Sequence, residues 1–261
     1  DAEAMFDVLT YEKGGAVLRM LERHLGAAAF REGVRRYLAE HRYGNADTRD
    51  LWRALEAATA EPIPAIMDGW IFRPGYPVVA AEPAAEGRAL RLTQARFRYL
   101  EDGDASGRWQ IPLAIRAGIG GRALEVRHLL REPEEVIPLP GPADWVVVNA
   151  GGHGFYRVQY APALLEPLLA EAGRLEPIER FNVVNDAWAL TQAGRLPVEA
   201  YLDLTRRFEL ETDRHVWASL LAAFAALHRL APEALRPALA RLVRERLAGA
   251  VARLGWSPAP D

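Results

Sequence analysis

The spacing of hydrophobic residues along this chain changes twice. Up to about Arg73 apolar residues recur every three to four positions, the period of helices that each bury one face. Val17, Leu18, Leu21 and Leu25 form a first stripe, behind Thr10 as a cap and Glu12 in the first turn. After a stop at Gly26 come Phe30, Val34, Tyr37, Leu38 and His41. Thr48 then caps a third helix bearing Leu51, Trp52 and Leu55, and Pro62 and Pro64 open a fourth with Ile63, Ile66, Met67 and Trp70 inward. A helical bundle accounts for all four stripes.

At Pro74-Gly75-Tyr76-Pro77 the period falls to two. Strands are expected at Val78–Glu82, Ala89–Phe97, Trp109–Arg116, Ala123–Leu130, Trp145–Asn149 and Phe155–Tyr160. In the third, Trp109, Ile111, Leu113 and Ile115 share one face, with Gln110 and Arg116 on the other, and Pro112 argues for an edge strand or a bulge. Short strands between turns rich in Gly, Asp and Pro suggest a β-sandwich. From Pro162 the period returns to helix, through Leu164, Leu165, Leu168 and Leu169, then Phe181, Val184 and Trp188 to a stop at Gly194. Tyr201, Leu202 and Phe208 mark the next helix, and Trp217, Leu220, Leu221, Phe224 and Leu227 the one after. Such hairpins read as an α-solenoid-like segment, and Ser257–Asp261 as a tail or a cut site. The expected fold class is α+β and multidomain: helices over 1–73, a β-sandwich over 74–160, and helices over 161–261.

Composition narrows the function more by exclusion than by indication. Half of the 261 residues are hydrophobic, and 32 basic residues face 35 acidic ones with no basic block, which speaks against nucleic acid. No apolar run approaches the ~20 residues of a membrane span. Cysteine is absent, so disulfides and thiolate metal sites are excluded. The chain opens at Asp1 without Met or a signal-like segment; it is expected to be an internal piece of a longer cytoplasmic protein, with its oligomeric state open.

Few residues suggest chemistry on their own. None of the histidines at 24, 41, 128, 153, 215 and 228 stands at i, i+4 with another, the spacing by which a helix presents two metal ligands. His24 and His41 lie on helix flanks, and His128 in a strand beside Leu124, Val126 and Leu130; each reads as structural or exposed. Gly151-Gly152-His153-Gly154 lacks the strand-to-helix context of a phosphate loop and reads as a hairpin turn, and Trp188 and Trp217 read as core. A Tyr at a helix start, such as Tyr11, is by itself a half-buried packing residue. Gly14 and Gly15 ask for a reason, since glycine weakens a helix unless another backbone or a bound peptide comes close. Lys13, the chain's single lysine, and Glu12 could orient Tyr11, though a solvated pair explains them as well.

The run Tyr11-Glu12-Lys13-Gly14 followed by an apolar helix resembles the tyrosine motif of the aminopeptidase N family of zinc aminopeptidases. Arg19-Met20-Leu21, Tyr37-Leu38 and Leu51-Trp52 are similar to the second half of that family's thermolysin-like catalytic domain. Trp70 through Val79 resemble the passage into its small β-sandwich, although Ile71 and Phe72 stand where the family carries a polar residue. Asn149 and Gly154–Val158 resemble the sandwich's end; Arg180–Asp186 and Gly194-Arg195-Leu196 resemble the opening of the helical C-terminal domain. The resemblance implies hydrolysis of N-terminal residues from peptides with zinc as cofactor. Tyr11 is then the catalytic residue, a protonated phenol donating to the carbonyl oxygen as negative charge builds on it, and Phe6 lines the substrate pocket, with core packing as its equal alternative. The family's His-Glu-x-x-His helix and Gly-x-Met-x-Asn loop have no counterpart in this sequence, so the chain alone is expected to be inactive. The alternative is a non-catalytic binding scaffold that keeps the family's shape.

Overall fold

A computed structural model describes residues 9–100 and 107–255. The chain divides into two compact units, Asp1–Phe97 with Gly103–Ala161, and Pro162–Asp261 with Arg98–Asp102. Helices and two small sheets make a mixed α/β fold.

The first unit begins with a π-helical turn, Leu9–Lys13, that runs without a break into α1 (Gly14–Leu25). Thr10 therefore lies within the helical run, and the position before α1 is held by Lys13, with no side-chain cap. Val17, Met20 and Leu21 are buried, and Gly26, at φ 85°, ends the helix where a side chain would be strained. In α2 (Ala27–Glu40) the buried residue is Gly33. A Cβ there would fall 2.5 Å from Leu55 Cδ2 and 2.9 Å from Leu55 Cα, so glycine sets how closely α2 approaches α3 (Thr48–Thr59). The cap of α3 is Asp47, not Thr48: its carboxylate accepts from the backbone N–H groups of Arg49 and Asp50, while Asp50 reaches back to the N–H of Asp47. Two acceptors in a reciprocal box satisfy more orphan donors than one hydroxyl does. In α4 (Ile63–Ile71), Ile63, Ile66, Met67 and Trp70 are buried.

Seven strands follow among the described residues: β1 (Pro77–Ala84), β2 (Ala89–Arg96), β3 (Ile111–Ile119), β4 (Arg122–Leu130), β5 (Glu134–Pro138), β6 (Trp145–Val147) and β7 (Arg157–Tyr160). They form sheets of order β5-β2-β1-β7 and β4-β3-β6. In β3 the faces alternate as the pattern requires, with Ile111, Leu113 and Ile115 at 2% exposure or less. Yet β3 is the central strand of its sheet, which contradicts the edge reading of Pro112. Strand β6 pairs only with Arg116–Gly118, so at Pro112 the strand has β4 on one side and needs no N–H on the other. The Gly151 turn is no hairpin either, because β6 and β7 belong to different sheets and the turn carries the chain between them. Asn149 closes it, accepting from Gly154 N at 2.9 Å and donating to Gly154 O at 3.3 Å.

Helices and sheets of this unit share a core. Trp70 packs 6.3 Å from both Trp109 and Phe155, and its indole N–H donates to Gln110 O at 3.1 Å. The Phe155 N–H donates to Met20 Sδ at 3.4 Å, which ties α1 to the crossover.

In the second unit run α5 (Pro162–Ala170), α6 (Pro177–Gln192), α7 (Val198–Leu204), α8 (Arg214–Leu230) and α9 (Arg236–Leu254). Tyr201 and Phe208 are fully buried, and the Trp188 ring packs 5.2 Å from that of Tyr201 at a tilt of 47°. A buried ion pair links α6 to the segment before α8: Arg180 Nε and Nη2 donate to Glu211 at 2.6 and 2.9 Å. Among the described residues no helix is long and apolar enough to cross a membrane.

Candidate active-site turn

The π-helical turn presents its residues unequally. Tyr11 is 58% exposed, so it is not the half-buried packing residue that a helix start usually offers. Glu12 is exposed; Lys13 is half-buried, and burial lowers its ammonium pKa. No ion pair joins the two among the described residues. Phe6 lies outside the described residues.

One turn on, a Cβ at Gly14 or Gly15 would meet nothing within 4 Å among the described residues. Gly14 borders a groove of ≈ 380 Å³ walled by Leu18, Leu51, Trp52, Met67 and Ile71 from three helices. Sequence periodicity marks Leu18, Leu51, Trp52 and Met67 as inward-facing, but it does not show that their stripes stop short of closing on one another.

The histidines sit apart. His24 Nε2 lies 3.9 Å from Glu61 and His41 Nε2 3.9 Å from Asp50, too far for hydrogen bonds. Burial lowers the His24 pKa against the opposing pull of Glu61. His128 Nε2 meets Glu135 at 2.6 Å. Burial pushes the Glu135 carboxyl up, but bonds from the Glu132 and Arg131 N–H groups and from His128 outweigh it and hold its pKa below the ordinary value. Among the described residues no three His, Cys, Asp or Glu side chains are grouped to hold a metal ion. These residues do not fit a zinc site of three protein ligands. Trp217 donates its indole N–H to Glu211 O, a structural role.

Residues 1–70 match the peptidase family M1 domain, and residues 145–261 match an ERAP1-like C-terminal domain. Tricorn protease-interacting factor F2 of Thermoplasma acidophilum is 34% identical over 89% of this chain and 28% of its own length. Aminopeptidase M1 of Arabidopsis thaliana is 31% identical over 99% of this chain and 31% of its own. For the puromycin-sensitive aminopeptidase of Caenorhabditis elegans the figures are 31%, 84% and 24%. The chain thus spans less than a third of the length of these relatives. With an M1 match at its start, an ERAP1-like C-terminal domain at its end, and aminopeptidase relatives along nearly all of it, the chain belongs to the M1 peptidase family, the aminopeptidase N family that its tyrosine motif resembles.

Proposed function

We propose that this chain is part of a zinc-dependent aminopeptidase that removes residues one at a time from peptide N-termini. Residues 1–73 are the helical end of its catalytic domain, 74–160 its β-sandwich, and 161–261 the start of an α-solenoid-like C-terminal domain. The two sheets and the helices around them are consistent with that division. The zinc ligands are not among this chain's residues, and its own contribution to the chemistry is Tyr11. The observation that carries this reading is the exposed phenol on a helical turn inside the M1 match. A neutral phenol O–H there donates to the scissile carbonyl oxygen and strengthens that bond as the oxygen gains charge in the transition state. Phe6, five residues earlier, lines the pocket for the substrate's side chain.

Tyr11→Phe in the full-length enzyme tests the assignment. The ring remains while one preorganised donor is lost, so kcat should fall by about 10²–10³, with KM within a few-fold and zinc content unchanged. Near-normal kcat with full zinc would remove Tyr11 from the mechanism. The binding-scaffold reading requires no measurable turnover by the full-length protein at all.

A further inference from the structure

A small cavity of ≈ 30 Å³ lies where the end of α1, the β3–β4 pair and the turn at 149–154 meet. At about 10–15 Å³ for each water it has room for two waters or one small ion. Arg23 and His24 reach it from the last turn of α1, Glu125 and Arg127 from β4, and His153 from the turn. Glycine keeps one side open: a Cβ at Gly151 would stand 3.1 Å from His153 Nε2 and 3.7 Å from Arg23 Nη2. The His24 Nε2 atom is buried with no hydrogen-bond partner among the described residues, because Glu61 stops 3.9 Å away. A buried polar atom without a partner costs stability. Neither Arg23 nor Arg127 has an ion pair among the described residues, and Arg131 adds a third positive charge acting on His24. Glu61 and Glu125 offset these charges only in part, and the histidines and carboxylates are not grouped to hold a metal ion among the described residues.

We infer that this cavity binds one small monovalent anion of halide size, held by the guanidiniums of Arg23 and Arg127 and accepting from the His24 Nε2–H. Water would satisfy the imidazole, but it would leave the surrounding positive charge unanswered. Sulfate and phosphate exceed a space of about two waters. The anion joins the end of α1 to β4, over a hundred positions away in sequence. His24 couples it to pH. Burial, with Arg127 and Arg131, holds the His24 pKa below its ordinary value against the pull of Glu61. An anion at Nε2 favours the protonated ring, so the halide binds more tightly as pH falls below the ordinary histidine value of about 6.5. The inference stands on this chain's own residues and is independent of the aminopeptidase reading and of Tyr11.

The test moves the full-length protein from sodium gluconate into sodium chloride at equal ionic strength and follows amide hydrogen exchange at residues 20–25 and 149–154. Chloride at ten times its Kd should slow exchange in both segments about tenfold, and leave α6 and α8 unmoved. The slowing should be larger at about pH 5.5 than at about pH 7.5. Arg23→Gln and Arg127→Gln, both at exposed positions, should each abolish it. Equal exchange in the two salts up to about 0.5 M chloride overturns the inference. So does slowing that survives both substitutions, which puts the halide elsewhere, or slowing that sulfate reproduces at equal ionic strength, which is charge screening. Should neither variant fold, bromide anomalous scattering from crystals of the unaltered protein decides: a peak at His24 Nε2 upholds the site, and its absence overturns it. Because kcat is not the readout, the result is separate from that of Tyr11→Phe.

Discussion

Glu211 offers the most demanding test of the energetics of the second unit. Its side chain is 2% exposed, that of Arg180 is 16% exposed, and the two carboxylate oxygens are used differently. Oε1 accepts from Arg180 Nη2 at 2.9 Å and from the Thr212 and Asp213 N–H groups at 2.8 Å each, whereas Oε2 accepts only from Arg180 Nε, at 2.6 Å. In Glu211→Gln the amide oxygen best replaces Oε1, which turns an NH2 group towards the Arg180 Nε–H. One charge-assisted bond becomes a donor facing a donor, and a largely buried guanidinium loses its counter-charge. Breaking a buried pair from one side costs about 3–5 kcal/mol. Amide exchange in α6 and α8, followed by mass spectrometry in the full-length protein, should then quicken by about 10²–10⁴. A change below about tenfold would show that the pair contributes under ~1.4 kcal/mol and refute the reasoning. The pH dependence adds a second check. Burial raises the Glu211 carboxyl, but the bonds from Arg180 and the two backbone N–H groups outweigh it and leave its pKa below the ordinary value. A depressed folded pKa means the stabilisation is whole above the ordinary glutamate value of about 4.3 and is lost as pH falls below it through the folded value. Glu211→Gln should remove that acid-side loss.

Three further outcomes follow from particular contacts. Gly33→Ala should destabilise the first unit by about 1–3 kcal/mol in thermal or urea unfolding, even though alanine is the better helix former, because Leu55 has nowhere to go. Tyr201→Phe should leave stability unchanged or raise it by up to about 1 kcal/mol, since the hydroxyl is buried without a hydrogen-bond partner among the described residues and burial pushes its pKa up; a loss above ~1 kcal/mol would reveal a partner. The 261-residue chain prepared by itself should retain no stoichiometric zinc after dialysis and should not hydrolyse an aminoacyl-anilide, and metal analysis with that assay checks both.

What the sequence made legible was whatever repeats. The helices α1 to α4 and the alternation of Trp109, Ile111, Leu113 and Ile115 came from single-element patterns, and the elements are there, although α2 buries Gly33 and leaves Leu38 of its stripe exposed. Strand β5 went unseen because Glu134-Glu135-Val136-Ile137-Pro138 buries only Ile137 and surrounds it with charge and proline. Thr48 reads as the cap of α3 because it precedes the apolar stripe, whereas the reciprocal bond from Asp50 that makes Asp47 the cap exists only in three dimensions. Gly33 and the Arg180–Glu211 pair depend on residues over twenty positions away, which no local period encodes. Tyr11 was found from its motif neighbours; its exposure, which separates it from a packing residue, is a property of the fold.

The parallel pairing of β1 with β7 fixes an order of events. Val78 aligns with Arg157 and Ala81 with Tyr160, partners about 80 residues apart in sequence and therefore slow to meet. Every other strand pair among the named strands is antiparallel and closer in the chain, so the sheets assemble piecemeal while one side of β1 waits. A ribosome that has not yet delivered Tyr160 exposes that side of β1 as an open template for another nascent chain. Once β7 docks, the Ala161 N–H bonds Ala81 O and the chain passes directly into α5. Completion of the first unit during synthesis is thereby timed to the emergence of the second.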